Sequence, residues 1–324
     1  MKNYTIKKYQ NKDFNVWNNF IAEAKNATFL FHRNFMEYHS GRFEDFSLLI
    51  FENEILKSVL PANIVKNQIF SHQGLTYGGL VLKEKVKLKE VILMFKEVLF
   101  FLHKNEIEQL QIKQIPSVYC KVFSDELEYI LFLTNAEIYR KDTLSVINLN
   151  QKVNYSETRK QGINKGKRND LIIKEENNFE VFWDKILIPN LKTKHKAAPV
   201  HSIDEMEKLA LLFKNIRQFN VYQQEEIVAG TTIFETEKVA HVQYISVNKT
   251  KSDLGILDFL FDYLISDVFQ DKAFFDFGTS NENNGKNLNA GLSFWKESFG
   301  ARTVVQNFYE VKTENYKLLD NVLI

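Results

Sequence analysis

The chain has 324 residues, of which 44% are hydrophobic and 26% charged, the composition of an ordinary folded protein with ample material for a core. A net charge of +1 gives no global steering towards nucleic acid or an acidic membrane. The single cysteine, Cys120, excludes an internal disulfide framework and a cysteine zinc cluster, and it fits a reducing compartment.

The length leaves room for two domains. Residues 1–14 are polar and charged rather than apolar, which is not a secretory signal, and the most apolar run, 91–102, carries Lys96 and Glu97 and falls short of a membrane span. A cytoplasmic, soluble protein is the expectation. Glycine and proline are scarce, which predicts long elements with few flexible linkers.

In chain order, residues 4–8 alternate as a strand does, and Trp17, Phe20, Ile21 and Ala24 mark an amphipathic helix. A short helix is predicted over 34–39. Strands at 46–51 and 55–65 are joined by Glu52, Asn53 and Glu54, a hairpin turn. A glycine-rich loop follows, from Ser71 and His72 to Tyr77, Gly78 and Gly79. A long helix over 85–104, a strand at 109–115, a helix at 124–133 and a strand at 137–149 complete the first half.

The second half repeats that order. A strand at 171–174 precedes a helix at 179–191. Ser202 with Glu205 three residues later has capping-box spacing and opens a helix with Leu209, Leu212, Phe213 and Ile216 on one face. Strands at 219–222, 227–234 and 239–247 follow, then a helix over 254–268 that is apolar nearly all round. Between the halves, 150–170 is polar and basic, with Arg159, Lys160, Lys165, Lys167 and Arg168. It reads either as a solvated connecting helix or as a contact for a phosphate-bearing ligand.

The stretch around which the second half is organised is 274–300. Phe274 to Phe277 form a buried strand bearing Asp276, a polar loop runs over 279–286, and Leu288, Leu292, Trp295 and Phe299 recur at helical spacing. Gly300 stands where a left-handed helix cap is wanted. Taken alone, this is either a strand-loop-helix corner with Asp276 satisfied by loop amides or the floor of a site.

Phe274-Phe275-Asp276-Phe277-Gly278, followed by Gly291-Leu292-Ser293-Phe294-Trp295-Lys296-Glu297-Ser298-Phe299-Gly300, resembles a pattern of the GNAT acyltransferase superfamily. The tandem element order resembles its FemAB-like branch. The resemblance implies an α/β fold (α+β mixed sheets) of two GNAT-like domains, at 1–150 and 151–324. It implies splayed strands four and five that hold an acyl-CoA pantetheine, and a following loop that binds pyrophosphate at a helix N-terminus. Here that loop makes Val247, Asn248, Lys249, Lys251 and Gly255 the donor-binding candidates. Asp253 brings negative charge to it, which Lys249 and Lys251 could offset. The other reading is a lysine-rich turn capped by Ser252 or Asp253.

Acyl transfer needs a base for the acceptor, an acid for the leaving group and amides for the oxyanion. On the strand 239–247, alternation puts His241, Gln243 and Ile245 on one face and Ala240, Val242 and Tyr244 on the other. His241 as base with Gln243 as orienter is one reading; a hydrogen-bonded core histidine is the other. Asp276, Ser280 and Glu282 are the further catalytic candidates. Lys296 either binds phosphate or carboxylate or pairs with Glu282. The family's helix tyrosine acid has no match between Asn287 and Phe299.

In the first half, His39, Arg42, Ser71, His72 and Tyr77 are candidates to bind an acceptor at a cleft between the halves, or else satisfy backbone groups there. His195, His201 and Asp204 match no compact zinc spacing, so no metal is expected, and no glycine-flanked nucleophile elbow occurs. The expected activity is transfer of an acyl group to an amine or hydroxyl of a cell-envelope precursor or small molecule. Acetyl-CoA is the expected co-substrate, with aminoacyl-tRNA the alternative donor, contacted through 159–168. The competing class is a catalytically silent binding protein of the same fold.

Overall fold

The computed structural model describes residues 3–248, 251 and 254–324, leaving aside the side chains of 194 and 195. The chain divides into two units. The first comprises Met1–Asp142, Asn284–Lys286 and Val305–Ile324, and the second Thr143–Asn283 and Asn287–Val304. The last strand's residues therefore return to the first unit, although most of the second half in sequence forms the other.

The first unit contains β1 (Tyr4–Lys8), α1 (Phe14–Glu23), α2 (Arg33–Met36), β2 (Glu44–Asp45), β3 (Leu48–Glu52), β4 (Ile55–Leu60), β5 (Asn63–Val65), β6 (Gln68–Phe70), β7 (Val81–Leu82), α3 (Leu88–Lys104), β8 (Gln109–Lys113) and α4 (Glu126–Leu133). β9 (Glu137–Asn148) leads out of it. One sheet has the order β1-β3-β4-β7, and β8, β6, β5 and β2 are neighbours in another. The strand expected over 55–65 is thus two strands in two sheets. Pro61 explains the break, since it donates no ladder hydrogen bond.

On α3, Val91, Met94, Phe95, Val98, Leu99 and Leu102 are buried, at steps of three and four that place them on one face. They meet Leu48, Ile50, Leu110 and Ile112 in the unit's core. Full burial of each large apolar side chain contributes roughly 1.5–3 kcal/mol. This packing, rather than helix propensity, holds α3 to the sheets.

The second unit begins with α5 (Glu157–Lys167) and β10 (Leu171–Glu176). α6 (Glu180–Phe182) runs through a π-turn, Trp183–Leu187, into α7 (Ile188–His195). Next come α8 (Ile203–Leu212), β11 (Ile216–Gln223), β12 (Glu226–Glu235) and β13 (Val239–Val247). The unit continues with α9 (Ile256–Tyr263), β14 (Phe274–Thr279), β15 (Asn281–Glu282), β16 (Asn287–Leu288) and α10 (Ala290–Glu297). β17 (Arg302–Lys312) leads back to the first unit, where its residues 308–312 pair with β8.

In the second unit the sheet order is β10-β11-β12-β13-β14-β9, antiparallel except for the parallel β13–β14 pair. Ile216 opens β11 rather than extending the apolar face of α8, and Leu212 is exposed. Leu288 lies in the short β15–β16 hairpin and is exposed, so the apolar run expected from Leu288 to Phe299 is only partly a buried helical face. Phe261, Phe275, Phe277, Trp295 and Phe299 do converge, with ring centroids 5.1–6.1 Å apart. This aromatic cluster fastens β14 to α9 and α10.

Candidate functional site

β13 and β14 are in register for only three rungs, Val239↔Phe274, Ala240↔Phe275 and His241↔Asp276. β13 runs on to Val247 and β14 to Thr279, so beyond that third rung the two strands are no longer paired. At the same height the β12 partner of β13 jumps from Val242 to Tyr244, which leaves Gln243 as the extra residue of a β-bulge.

The bulge overturns the expected face assignment. Ala240 and Val242 belong to the unit's core, and past the bulge Ile245 and Val247 pack against that same core. Tyr244 and Ser246 therefore emerge on the face of His241, opposite to simple alternation. Gln243, as the extra residue, falls out of the alternation that would have set it on the face of His241.

Asp276 holds His241 instead. Its carboxylate is fully buried, accepting from the Gly278 N–H at 2.7 Å through Oδ1 and facing His241 Nδ1 at 3.0 Å through Oδ2. A carboxylate accepts, so in the neutral form of the ring the proton belongs on Nδ1 and the lone pair on Nε2. Gly278 has φ +71, a backbone that favours glycine, and a Cβ there would stand 3.4 Å from His241 Cε1.

Lys296 is buried on α10 and donates to the carbonyls of Gly278 at 3.0 Å and Thr279 at 2.7 Å. It therefore fixes the end of β14 rather than pairing with Glu282. Burial pulls its pKa down to about 8, with the Asp276 charge opposing. Ser280 follows directly; its buried hydroxyl has no hydrogen-bond partner among the described residues. Glu282 is exposed and accepts from the Asn289 side chain at 3.3 Å, while Asn289 caps α10 by accepting from the Leu292 N–H at 3.1 Å. The structure thus brings Asp276, His241, Lys296 and Ser280 to the point where the strands part, and sets Glu282 on the exposed rim.

Four residues on this face were not singled out for this role by the sequence. The Tyr244 hydroxyl lies 2.6 Å from His201 Nδ1, and burial pushes its pKa up to about 12. Trp183 stands edge-on to Tyr244 at 5.1 Å, and its buried indole N–H has no hydrogen-bond partner among the described residues. Asn190 donates to Ser246 Oγ at 2.7 Å and to the Val247 carbonyl at 2.8 Å. The π-turn at Trp183 and the bulge at Gln243 set this geometry, and neither has a signal in residue periodicity.

Among the donor-loop candidates, Asn248 donates its backbone N–H to the Val228 carbonyl at 2.7 Å and Lys251 pairs with Glu226 at 2.7 Å. Lys249, with Thr250, Ser252 and Asp253, lies outside the described residues, as does the His195 side chain. Gly255 caps α9 with φ +72, and a Cβ there would fall 2.2 Å from the Gly162 carbonyl oxygen of α5. Among the described residues no group of three or more His, Cys, Asp or Glu side chains could hold a metal ion, and no helix is long and apolar enough to cross a membrane.

In the first unit, β6 and β8 form the matching parallel pair, Gln68↔Gln109 to Phe70↔Gln111, which resumes only at the Gly78↔Gln114 bridge. The intervening loop fills the gap. Lys113 donates its Nζ to the Leu75 carbonyl at 2.6 Å and the Gln73 carbonyl at 3.1 Å, and its N–H to Ser71 Oγ at 2.9 Å. Tyr77 is buried with its hydroxyl on Thr28 Oγ1 at 3.0 Å. Ser71 thus ties the loop to β8, and Tyr77 ties it to Thr28. The rings of His39 and His72 are both buried, 5.1 Å apart, and burial pulls His72 down to about 3. Arg42 is exposed beside the Tyr38 ring.

No family model matches the sequence, and no curated protein matches it. Among solved structures the chain is similar to FemX, at 7% identity over 98% of this chain and 99% of that one, with a TM-score of 0.67. It is also similar to L-PGS from Bacillus licheniformis (11% identity, 94% and 92% coverage, TM-score 0.58). A tandem GNAT protein from the clavulanic acid biosynthesis pathway matches at 9% identity over 96% and 99% of the two chains, with a TM-score of 0.56. These likenesses show the fold alone: mixed α/β, shared with FemX and with the tandem GNAT protein.

Proposed function

We propose that the second unit transfers an acyl group from an activated thioester or ester to an amine or hydroxyl, with His241 as general base and Asp276 as the group that orients it. The observation that carries this is the His241–Asp276 pair, 3.0 Å apart, at the last rung before β13 and β14 part. An acyl group laid along the unpaired edge of β13 would sit next to a base whose tautomer the buried carboxylate sets. The acceptor nitrogen or oxygen attacks the acyl carbon and its proton passes to His241 Nε2. The bond to the carrier sulfur or oxygen then breaks, and the leaving group takes a proton. Tyr244 reaches the same face and is the hydroxyl available for that last step, in place of the tyrosine missing from α10.

Likeness in fold to FemX, to L-PGS and to a tandem GNAT protein solved without AcCoA supports the acyl-transfer class. Acetyl-CoA remains the first donor to test and aminoacyl-tRNA the second, with a small molecule or cell-envelope precursor as acceptor. The test is thiol release from acetyl-CoA and from S-acetylpantetheine in the presence of primary amines. His241→Gln should lower turnover by about 10²–10⁴-fold, the range for loss of a positioned base. A variant as fast as the wild type would remove His241 from the reaction.

A further inference from the structure

Tyr244 and His241 share one face of β13, and their partners on β12 fix this independently of the core. His241 pairs with Phe234 and Tyr244 with Thr232. Phe234 and Thr232 are two residues apart on β12, so they point the same way, and cross-strand partners follow them. The bulge at Gln243 thus sets the tyrosine about 7 Å along the strand from the histidine, two residue rises. That is the stretch of β13 just past its last rung with β14.

His201, immediately before the cap of α8, is seated on this same face. Its buried ring meets Phe234 edge-on at 6.1 Å and Tyr244 at 5.9 Å between centroids. It also reaches the Tyr244 hydroxyl oxygen twice. The His201 backbone N–H donates to that oxygen at 3.2 Å, and Nδ1 lies 2.6 Å from it. Trp183 stands edge-on to the phenol ring at 5.1 Å, so both the ring and its oxygen are fixed in place.

A hydroxyl has one proton to give. Donated to Nδ1, that proton is spent; with the proton on Nδ1 instead, the oxygen accepts from two N–H groups and its own proton is available to a ligand. The second arrangement also suits proton release. Burial pushes the phenol up to about 12, and donors aimed at the oxygen favour the phenolate that burial opposes.

We propose that His201 is a positioning residue of the transfer, whose Nδ1–H and backbone N–H hold the Tyr244 oxygen and direct the hydroxyl proton at the leaving group. This rests on the acyl-transfer reading and deepens it. The acceptor bonds to the acyl carbon and passes its proton to His241 Nε2. The bond from carbon to the carrier sulfur breaks with its electron pair on sulfur, which takes the Tyr244 proton. The phenolate accepts from both His201 N–H groups until water returns its proton, and His241 releases its own to water. An alkyl thiolate, a strong base, needs that proton; an aryl thiolate, far weaker, leaves without it.

Dependence on the leaving group tests this in the full chain. With a primary amine as acceptor, His201→Leu should slow thiol release from acetyl-CoA about 10²-fold, the loss expected for one donor to a developing oxyanion. It should slow release of 4-nitrothiophenol from its S-acetyl ester at least about tenfold less. His201→Asn, which keeps an N–H near the place of Nδ1, should recover most of the loss. His201→Leu should add nothing in a Tyr244→Phe background. Equal effects on the two esters, at an unchanged melting temperature, overturn the proposal. Nitrogen-15 NMR of labelled histidine reads the ring without any turnover. A proton on His201 Nδ1 is expected, and a ring protonated only on Nε2 overturns the proposal. Absence of transfer from either ester by the wild type contradicts the acyl-transfer reading itself, whereas the position of the proton bears on His201 alone.

Discussion

His72 shows how one residue can carry a pH dependence that its neighbourhood dictates. It is buried with φ +66 and its pKa is pulled down to about 3, first by burial and then by the charges of His39, Arg33 and Lys113. The unfolded chain therefore binds this proton first, and stability should fall as pH drops from about 6.5 towards 3, by about 1.4 kcal/mol per unit at most. In His72→Asn, which tolerates the left-handed backbone and does not titrate, urea denaturation across that window should show a shallower fall. An unchanged slope would assign the acid sensitivity elsewhere. Gly74 supplies a steric counterpart: a Cβ there would lie 1.9 Å from His39 Nε2 and 2.8 Å from Phe43 Cε2. Gly74→Ala should cost about 1–3 kcal/mol as overpacking, read as a lowered urea midpoint.

At the scale of elements, the caps were legible in the sequence. Ser202 and Glu205 form the reciprocal box that their spacing predicts, with the Ser202 N–H donating to Glu205 at 2.8 Å and the Glu205 N–H to Ser202 at 3.2 Å. Ser202→Ala should cost about 1 kcal/mol, seen as a lower melting temperature with the same cooperativity. A loss below 0.3 kcal/mol would mean that α8 is held by packing alone. The aspartate on β14 and the histidine on β13 were legible too, because a polar residue in an apolar strand stands out. Their partnership was not. It depends on a parallel register between strands 35 residues apart, and on a bulge that turns Tyr244 to the histidine's face. Alternation has no term for an inserted residue, so it puts Gln243 on the face of His241, where the bulge sets Tyr244 instead. The helix through Trp183 hides its π-turn in the same way, since its apolar spacing is that of an ordinary helix.

For the whole molecule, the repeated element order was readable because long amphipathic helices and alternating strands mark themselves locally. That the final strand's residues lie with the first unit was not, since nothing in Val305–Lys312 says which sheet it completes. The buried titrating groups combine into one global expectation. Burial pulls Lys113 and Lys296 down to about 8, so the unfolded chain holds those protons longer and stability should rise as pH climbs from 8 to about 10.5. Tyr155 and Tyr244 are pushed up to about 12, so the folded state holds their protons longer and stability should fall from 10 to 12. Chemical denaturation between pH 7 and 12 should therefore pass through a maximum near pH 10. A monotonic fall from pH 8 would contradict the burial of the two lysines.

The measurement closest to the central claim is a double-mutant cycle on acyl turnover, with His241→Gln, Asp276→Asn and the two combined, each checked for an unchanged melting temperature. If Asp276 acts by holding His241 as the base, either change alone slows thiol release by two or more orders of magnitude, and the double variant is no slower than His241→Gln. Losses that simply multiply, or an Asp276→Asn enzyme as fast as the wild type, would contradict the account.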